Sequence, residues 1–178
     1  MTTIALIVGS LSQSSINRAI AEHITAQAPA GIIIEEVIIG DLPLYTQDLD
    51  SETVPAYERV RAQLKAADAI LIVSPEHNRA MPAAVKNVID IASRPFGQNA
   101  WQGKKAAIIT ASPSNYGGIT SGLQIRQSLQ MLGVDVLTTP EVFLSRAHAA
   151  LENGKVVDER TAGFLNKFAA AFYTWAAQ

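Results

Sequence analysis

Three stretches of this chain, Ile4–Val8, Ala69–Val73 and Ala106–Thr110, are apolar almost throughout and lack the in–out alternation of a half-buried strand. Strands of that kind need cover on both faces, and a parallel sheet between two layers of helices supplies it. Two further runs, Ile32–Ile38 and Val134–Leu137, read as additional strands. Apolar residues recur at helical spacing over Ile16–Gln27, Ala56–Ala66, Ala83–Ala92, Leu123–Leu132 and Phe164–Trp175. Five strands alternating with five helices predict a three-layer α/β sandwich with right-handed crossovers. At 178 residues the chain reads as a single domain, 1–178, long enough to bury a sizeable core. Two excursions interrupt the alternation: Asp41–Pro55, and Ser145–Asp158 with the turn signal Glu152-Asn153-Gly154-Lys155.

Composition narrows the function classes. A formal net charge of -2 gives no basic face for nucleic acid. Without cysteine the chain has no disulfide, thiolate nucleophile or zinc–thiolate site, and its three histidines share no metal-ligand spacing. No run approaches the ~20 apolar residues of a membrane span, and Met1–Gly9 has no basic leader. A cytoplasmic location is the expectation.

Ligands of open α/β sheets sit beyond the carboxyl ends of the strands, and three strand ends here carry polar loops. The first is Gly9-Ser10-Leu11-Ser12-Gln13-Ser14-Ser15-Ile16-Asn17-Arg18. Its hydroxyls, the Asn17 amide and the backbone N–H groups of a helix start suit an anion. It matches neither the dinucleotide fingerprint nor a Walker loop, so one phosphate fits better than two. The competing reading is a serine-rich turn with a helix cap. The second loop, Pro75-Glu76-His77-Asn78, offers backbone groups and an amide to the edge of a planar heterocycle; otherwise Glu76 and Asn78 merely cap the helix that follows. The third, Ser112 to Gly118, contains Asn115, Tyr116 and the pair Gly117-Gly118, which permits close approach of backbone to ligand; the alternative is a flexible turn.

Together these loops resemble the NADPH-dependent FMN reductase family, flavodoxin-like flavoproteins that include quinone, chromate and azo reductases. The opening G-S-L-R-x-x-S-x-N stands here as Gly9-Ser10-Leu11-Ser12-Gln13-Ser14-Ser15-Ile16-Asn17. The L-P-x-Y/F segment stands as Leu42-Pro43-Leu44-Tyr45, and the third-strand signature as Pro75-Glu76-His77-Asn78, Pro82, Val85-Lys86-Asn87 and Ile89-Asp90. The resemblance implies a flavodoxin-like sheet of order 2-1-3-4-5. It places the FMN phosphate on Ser10, Ser12, Ser15 and Asn17, and the isoalloxazine ring against Pro75, Glu76, His77 and Asn78. Ser112, Asn115, Tyr116, Gly117 and Gly118 then run along the ring's polar edge. Ser12 stands in place of the usual arginine, which removes a cation. His77 stands where tyrosine is common and alters the wall of the substrate pocket; Ser114 replaces a frequent glycine.

The resemblance further implies an NAD(P)H-dependent reductase in which FMN carries the chemistry. NADPH or NADH and a small acceptor (a quinone, free flavin, azo compound or metal oxyanion) would alternate over one flavin face in a ping-pong sequence. It also implies a homodimer or homotetramer, for which the apolar Phe143 and Leu144 are candidate contacts. The competing class is a flavodoxin-type electron carrier between protein partners. Carriers of that kind are usually strongly acidic, and this chain is not. A non-flavin ligand-binding module is the third reading. Trp101, Phe172, Tyr173 and Trp175 read as core or subunit contacts.

Overall fold

The computed structural model describes residues 1–178. Strands β1 (Thr2–Val8), β2 (Ile32–Glu36), β3 (Ala69–Ser74) and β4 (Lys105–Ala111) pair in parallel in the order β2-β1-β3-β4. The fifth position of the sheet is divided between two short strands. β5 (Asp135–Val136) pairs with the start of β4, and β6 (Val142–Leu144) pairs with its end. The expected strand Val134–Leu137 therefore covers only half of that position. Thr139-Pro140 lies in the break, where a proline without an N–H suits an interruption at the sheet edge. The flavodoxin-like order 2-1-3-4-5 holds.

Each buried strand divides its residues between two cores. Ile70 and Ile72 face helices α2 (Pro55–Ala66), α3 (Ala83–Ala92) and α4 (Ile119–Met131). Ala69, Leu71 and Val73 face α1 (Ile16–Thr25) and α5 (Glu159–Ala176). The two clusters hold 21 and 20 buried residues, so neither face of the sheet is left uncovered. This near-equal division is why β3 is apolar at successive positions, while the edge strand β2 alternates between half-buried and exposed.

Trp101 and Phe172 are fully buried and Tyr173 nearly so, which places them in the core and not at a subunit contact. Phe143 and Leu144, the candidate subunit contacts, are half-buried and belong to β6. The Phe143 ring packs so closely on Gly122 that a Cβ there would come within 2.7 Å of it. The turn signal at residues 152–155 is the tip of an antiparallel hairpin, β7 (Leu151–Glu152) with β8 (Lys155–Val156). Asn153 (φ 48°) and Gly154 (φ 74°) both take the left-handed conformation that a two-residue hairpin turn requires. No helix is long and apolar enough to cross a membrane.

Burial pushes the Tyr173 hydroxyl up to about 12, and in its neutral form it donates to the Ile24 carbonyl at 2.8 Å. An unfolded tyrosine ionises near 10. The neutral native form therefore contributes stability that is complete below pH ~10 and is lost as pH rises toward the native value. Tyr173→Phe should cost about 1 kcal/mol at neutral pH. It should also make the alkaline fall in melting temperature shallower. Tyr45 and Tyr57, whose hydroxyls burial also raises, contribute to the slope that remains. Melting curves from pH 8 to 12 check this.

Candidate functional site

The ends of β1, β3 and β4 are neighbours, so the loops that leave them share one edge of the sheet. The first loop starts tightly. The Gly9 N–H still donates to the Val73 carbonyl at 2.8 Å, and a Cβ on Gly9 would lie 2.7 Å from both Ser74 Oγ and Val85 Cγ2. Glycine is required there for space. Ser15 is the N-cap of α1, its hydroxyl accepting the Arg18 N–H at 3.0 Å, so the cap reading is correct for that residue. It does not account for the rest. The amides of Leu11, Gln13 and Ser14 donate to no protein acceptor, and those of Ile16 and Asn17 stand at the open start of the helix. Asn17, only 3% exposed, donates from Nδ2 to the Ala111 carbonyl at 3.4 Å, tying this loop to the end of β4. Its Oδ1 is buried with no partner. Arg18 turns away to a two-point bond with Glu36.

The β3 loop closes on itself. His77 and Ala80 exchange N–H···O bonds of 3.0 and 2.9 Å around Asn78 (φ 50°) and Arg79 (φ 64°). Two adjacent left-handed residues without glycine are strained. They persist because the turn is fixed from several sides. Arg79 lies over the Tyr116 ring, 4.0 Å from its centroid, and its carbonyl accepts from Gln124 at 3.4 Å.

The expectation that Glu76 and Asn78 cap the following helix is corrected: α3 has Pro82 at its N-cap and no side-chain cap. Glu76 instead reaches α4, where its Oε2 accepts from the amides of Thr120 at 2.9 Å and Ser121 at 3.2 Å. An ionised acid there also meets the positive end of the helix dipole. It takes the place of a cap that Gly118, at the N-cap position of α4, has no side chain to provide. Asn78 makes the turn, since asparagine tolerates positive φ.

The β4 loop is held from beneath by Thr110, whose hydroxyl donates to the Gly117 carbonyl at 2.8 Å. Gly117 (φ 61°) needs both its conformation and its lack of a side chain, because a Cβ there would lie 2.6 Å from the Phe143 carbonyl oxygen. The amides of Gly117 and Gly118 donate to nothing in the protein. Ser112 and Ser114 join hydroxyls at 3.0 Å, and Asn115 accepts from Arg146 Nε at 2.7 Å. These bonds and the close packing of Gly117 hold the loop from several sides. His77 is exposed, and its ring bonds to no neighbouring side chain. His23 is far off, paired with Asn166, and His148 lies on the one-turn helix after β6.

Sequence reasoning missed what supports these loops. Asn87 of α3 accepts the Tyr45 N–H at 2.8 Å and donates to the Pro43 carbonyl at 3.0 Å, fixing the Leu42–Tyr45 segment beside the cleft. An asparagine on the apolar side of a helix was the available signal, since it is unfavourable there without a partner. Arg79 carried no such signal. A separate apolar recess, lined by Pro29, Ile32, Ala170 and Tyr173, lies at the opposite end of the sheet and gathers no comparable set of loops.

This fold with a polar cleft at the carboxyl ends of β1, β3 and β4 defines a flavodoxin-like α/β protein. The family model for NADPH-dependent FMN reductases matches residues 2–149, and the chain belongs to that family. It is 38% identical over 174 residues to a quinone reductase of Pseudomonas putida, with 97% of this chain and 94% of that protein covered. It is 36% identical over 173 residues to 2-hydroxy-1,4-benzoquinone reductase of a Burkholderia species, with 97% and 94% covered. Among solved structures it resembles the flavoenzyme NAD(P)H:(acceptor) oxidoreductase of Paracoccus denitrificans. That match has a TM-score of 0.91 at 35% identity and covers 99% of this chain and 98% of that one.

The Glu76 bridge between the β3 loop and α4 generates a direct test. Glu76→Ala leaves the amides of Thr120 and Ser121 without their acceptor and should destabilise the fold by about 1–3 kcal/mol. Amide exchange at Thr120 and Ser121 should quicken more than in β1 or β2. Urea denaturation and hydrogen-exchange measurements read the two effects.

Proposed function

We propose that the protein is an FMN-dependent NAD(P)H:quinone reductase with the flavin at the carboxyl ends of β1, β3 and β4. The observation that carries this reading is the convergence of the three loops, with open backbone donors on two of them, in a chain of the NADPH-dependent FMN reductase family. The residues suit the group. The open amides of Leu11, Gln13, Ser14, Ile16 and Asn17 and the hydroxyls of Ser10 and Ser12 form a donor set for one phosphate. The loop has no second glycine to let the backbone press against a pyrophosphate. Asn17 offers a buried, unpartnered oxygen to a hydroxyl of the ligand. Pro75 to Asn78 gives the ring a wall, and the amides of Gly117 and Gly118 are aligned for its polar edge.

When bound, FMN supplies the redox chemistry, passing two electrons and a proton from nicotinamide to acceptor. The chain's own part is positioning and electrostatics. The α4 N-terminus and the Gly117 and Gly118 amides stabilise negative charge along the ring's edge, with no reorganisation at the moment of reaction. Thr110, Glu76 and Phe143 hold that loop still. His77 stands exposed at the lip, where it borders whatever docks on the open face. With one open face and no second nucleotide motif, nicotinamide and acceptor take turns.

A homodimer or homotetramer is supported by apolar side chains that no part of the chain covers. Leu44 is 78%, Phe96 93% and Leu123 49% exposed. Their burial against a second copy would remove that apolar surface from water.

Titration of flavin-free protein should give one FMN per chain and markedly weaker binding of FAD; equal affinity for both would contradict a single-phosphate cradle. Steady-state rates with NADPH and a benzoquinone should give parallel double-reciprocal lines, whereas intersecting lines would require both substrates bound at once. Light scattering should return a mass of two or four chains, and substituting Leu123 and Phe96 by Lys should shift it toward one.

A further inference from the structure

The arginine nearest the phosphate end of the proposed flavin site is committed to another partner. Ser12 stands where arginine is usual, so the loop brings no charge of its own. Arg18, in the first turn of α1, lines the same cleft of about 210 Å³ as Ser10, Leu11 and Ser12. Glu36 at the end of β2 lines it too. The guanidinium does not face the loop. Arg18 Nη1 donates to Glu36 Oε2 and Nη2 to Oε1, each at 2.6 Å. This planar fork is satisfied by one carboxylate and leaves little of the charge for a third group.

The pair is about one-third exposed, 37% for Arg18 and 32% for Glu36, so water does not dissolve it fully. The hydrogen bond to Glu36 raises the Arg18 pKa above its ordinary value, as expected for a cation committed to this partner. The other arginines of the site are also engaged: Arg79 with Glu76 and Tyr116, and Arg146 with Asn115. Lys155 and His148 line a second groove together with Gln13, Ser14, Ser15 and Arg18, and Glu22 lies among them.

We propose that Glu36 withholds Arg18 from the flavin phosphate, so that the loop holds the phosphate through its neutral donors and FMN is an exchangeable ligand. This inference rests on the reading of the cleft as an FMN site. It identifies Glu36, which belongs to none of the three loops, as a positioning residue that sets how long the flavin stays. A phosphate bound without a counter-charge should show little dependence on salt. A phosphate facing a free guanidinium should bind more tightly and become salt-sensitive.

The test is titration of flavin-free protein with FMN, and separately with riboflavin, followed by quenching of flavin fluorescence at low and high NaCl. Glu36→Gln keeps the side chain's size but releases the fork. It should tighten FMN by about tenfold or more, the scale of a charge-assisted bond to phosphate, and make its binding salt-dependent. Riboflavin, which lacks the phosphate, should bind as it does to the wild type. Adding Arg18→Ala to Glu36→Gln should return FMN to the wild-type affinity.

An unchanged or weakened FMN affinity in Glu36→Gln, with a wild-type melting curve, overturns the proposal, as does equal tightening of riboflavin. If Glu36→Gln does not fold, Arg18→Ala alone decides. An FMN affinity within about twofold of wild type supports the proposal, and a loss of tenfold or more shows that Arg18 already serves the phosphate. A wild-type protein that quenches neither flavin overturns the flavin site itself, and that result is distinct from any of these.

Discussion

The site depends on the complete burial of β3 between β1 and β4. With no residue of β3 exposed and its side chains divided between two cores, the strand has one register and one direction. The chain leaves β1 toward β2 on one side and returns to β3 on the other, which makes β1 and β3 the switch point of the sheet. Helices α1 and α3 leave that point on opposite faces, opening a cleft between the loops. The cleft therefore follows from hydrophobic burial and strand order, and the polar residues occupy a place the core has already made.

Its rigidity comes from bonds between the loops. Asn17 ties the β1 loop to the end of β4, Glu76 ties the β3 loop to α4, and Thr110 with Phe143 fixes the glycine pair from below. Each uses a buried or nearly buried polar group whose alternative would be an unsatisfied donor or acceptor, and that asymmetry makes such bonds costly to break. Few protein acceptors remain for the loop amides, which leaves them to a ligand. The binding surface is mostly backbone, so many side-chain changes around it are compatible with the same cleft.

The parts visible in the sequence were those with a strong local signature. The runs Ile4–Val8 and Ala69–Val73 identified central parallel strands because nothing else needs apolar residues on both faces. Gly117-Gly118 and Asn153-Gly154 marked left-handed turns. The divided fifth position was hidden because β5 and β6 are too short to show a period, and the packing of Phe143 on Gly122 joins residues with no local pattern. Glu76 was legible as part of a polar loop but not as the cap of α4, since its partners lie 44 and 45 positions away. The pairing of Arg18 with Glu36 spans two elements and has no local pattern at all. Local chemistry fixed the loops, while long-range geometry decided which side chains serve them.

The central claim, a redox-active flavin between these three loops, is tested most directly by the visible spectrum. Protein mixed with one equivalent of FMN under anaerobic conditions should lose its flavin absorbance on addition of NADPH, and regain it on addition of a benzoquinone. Each change should be much faster than for free FMN. A spectrum that NADPH leaves unchanged, or that changes no faster than free FMN, would contradict the account.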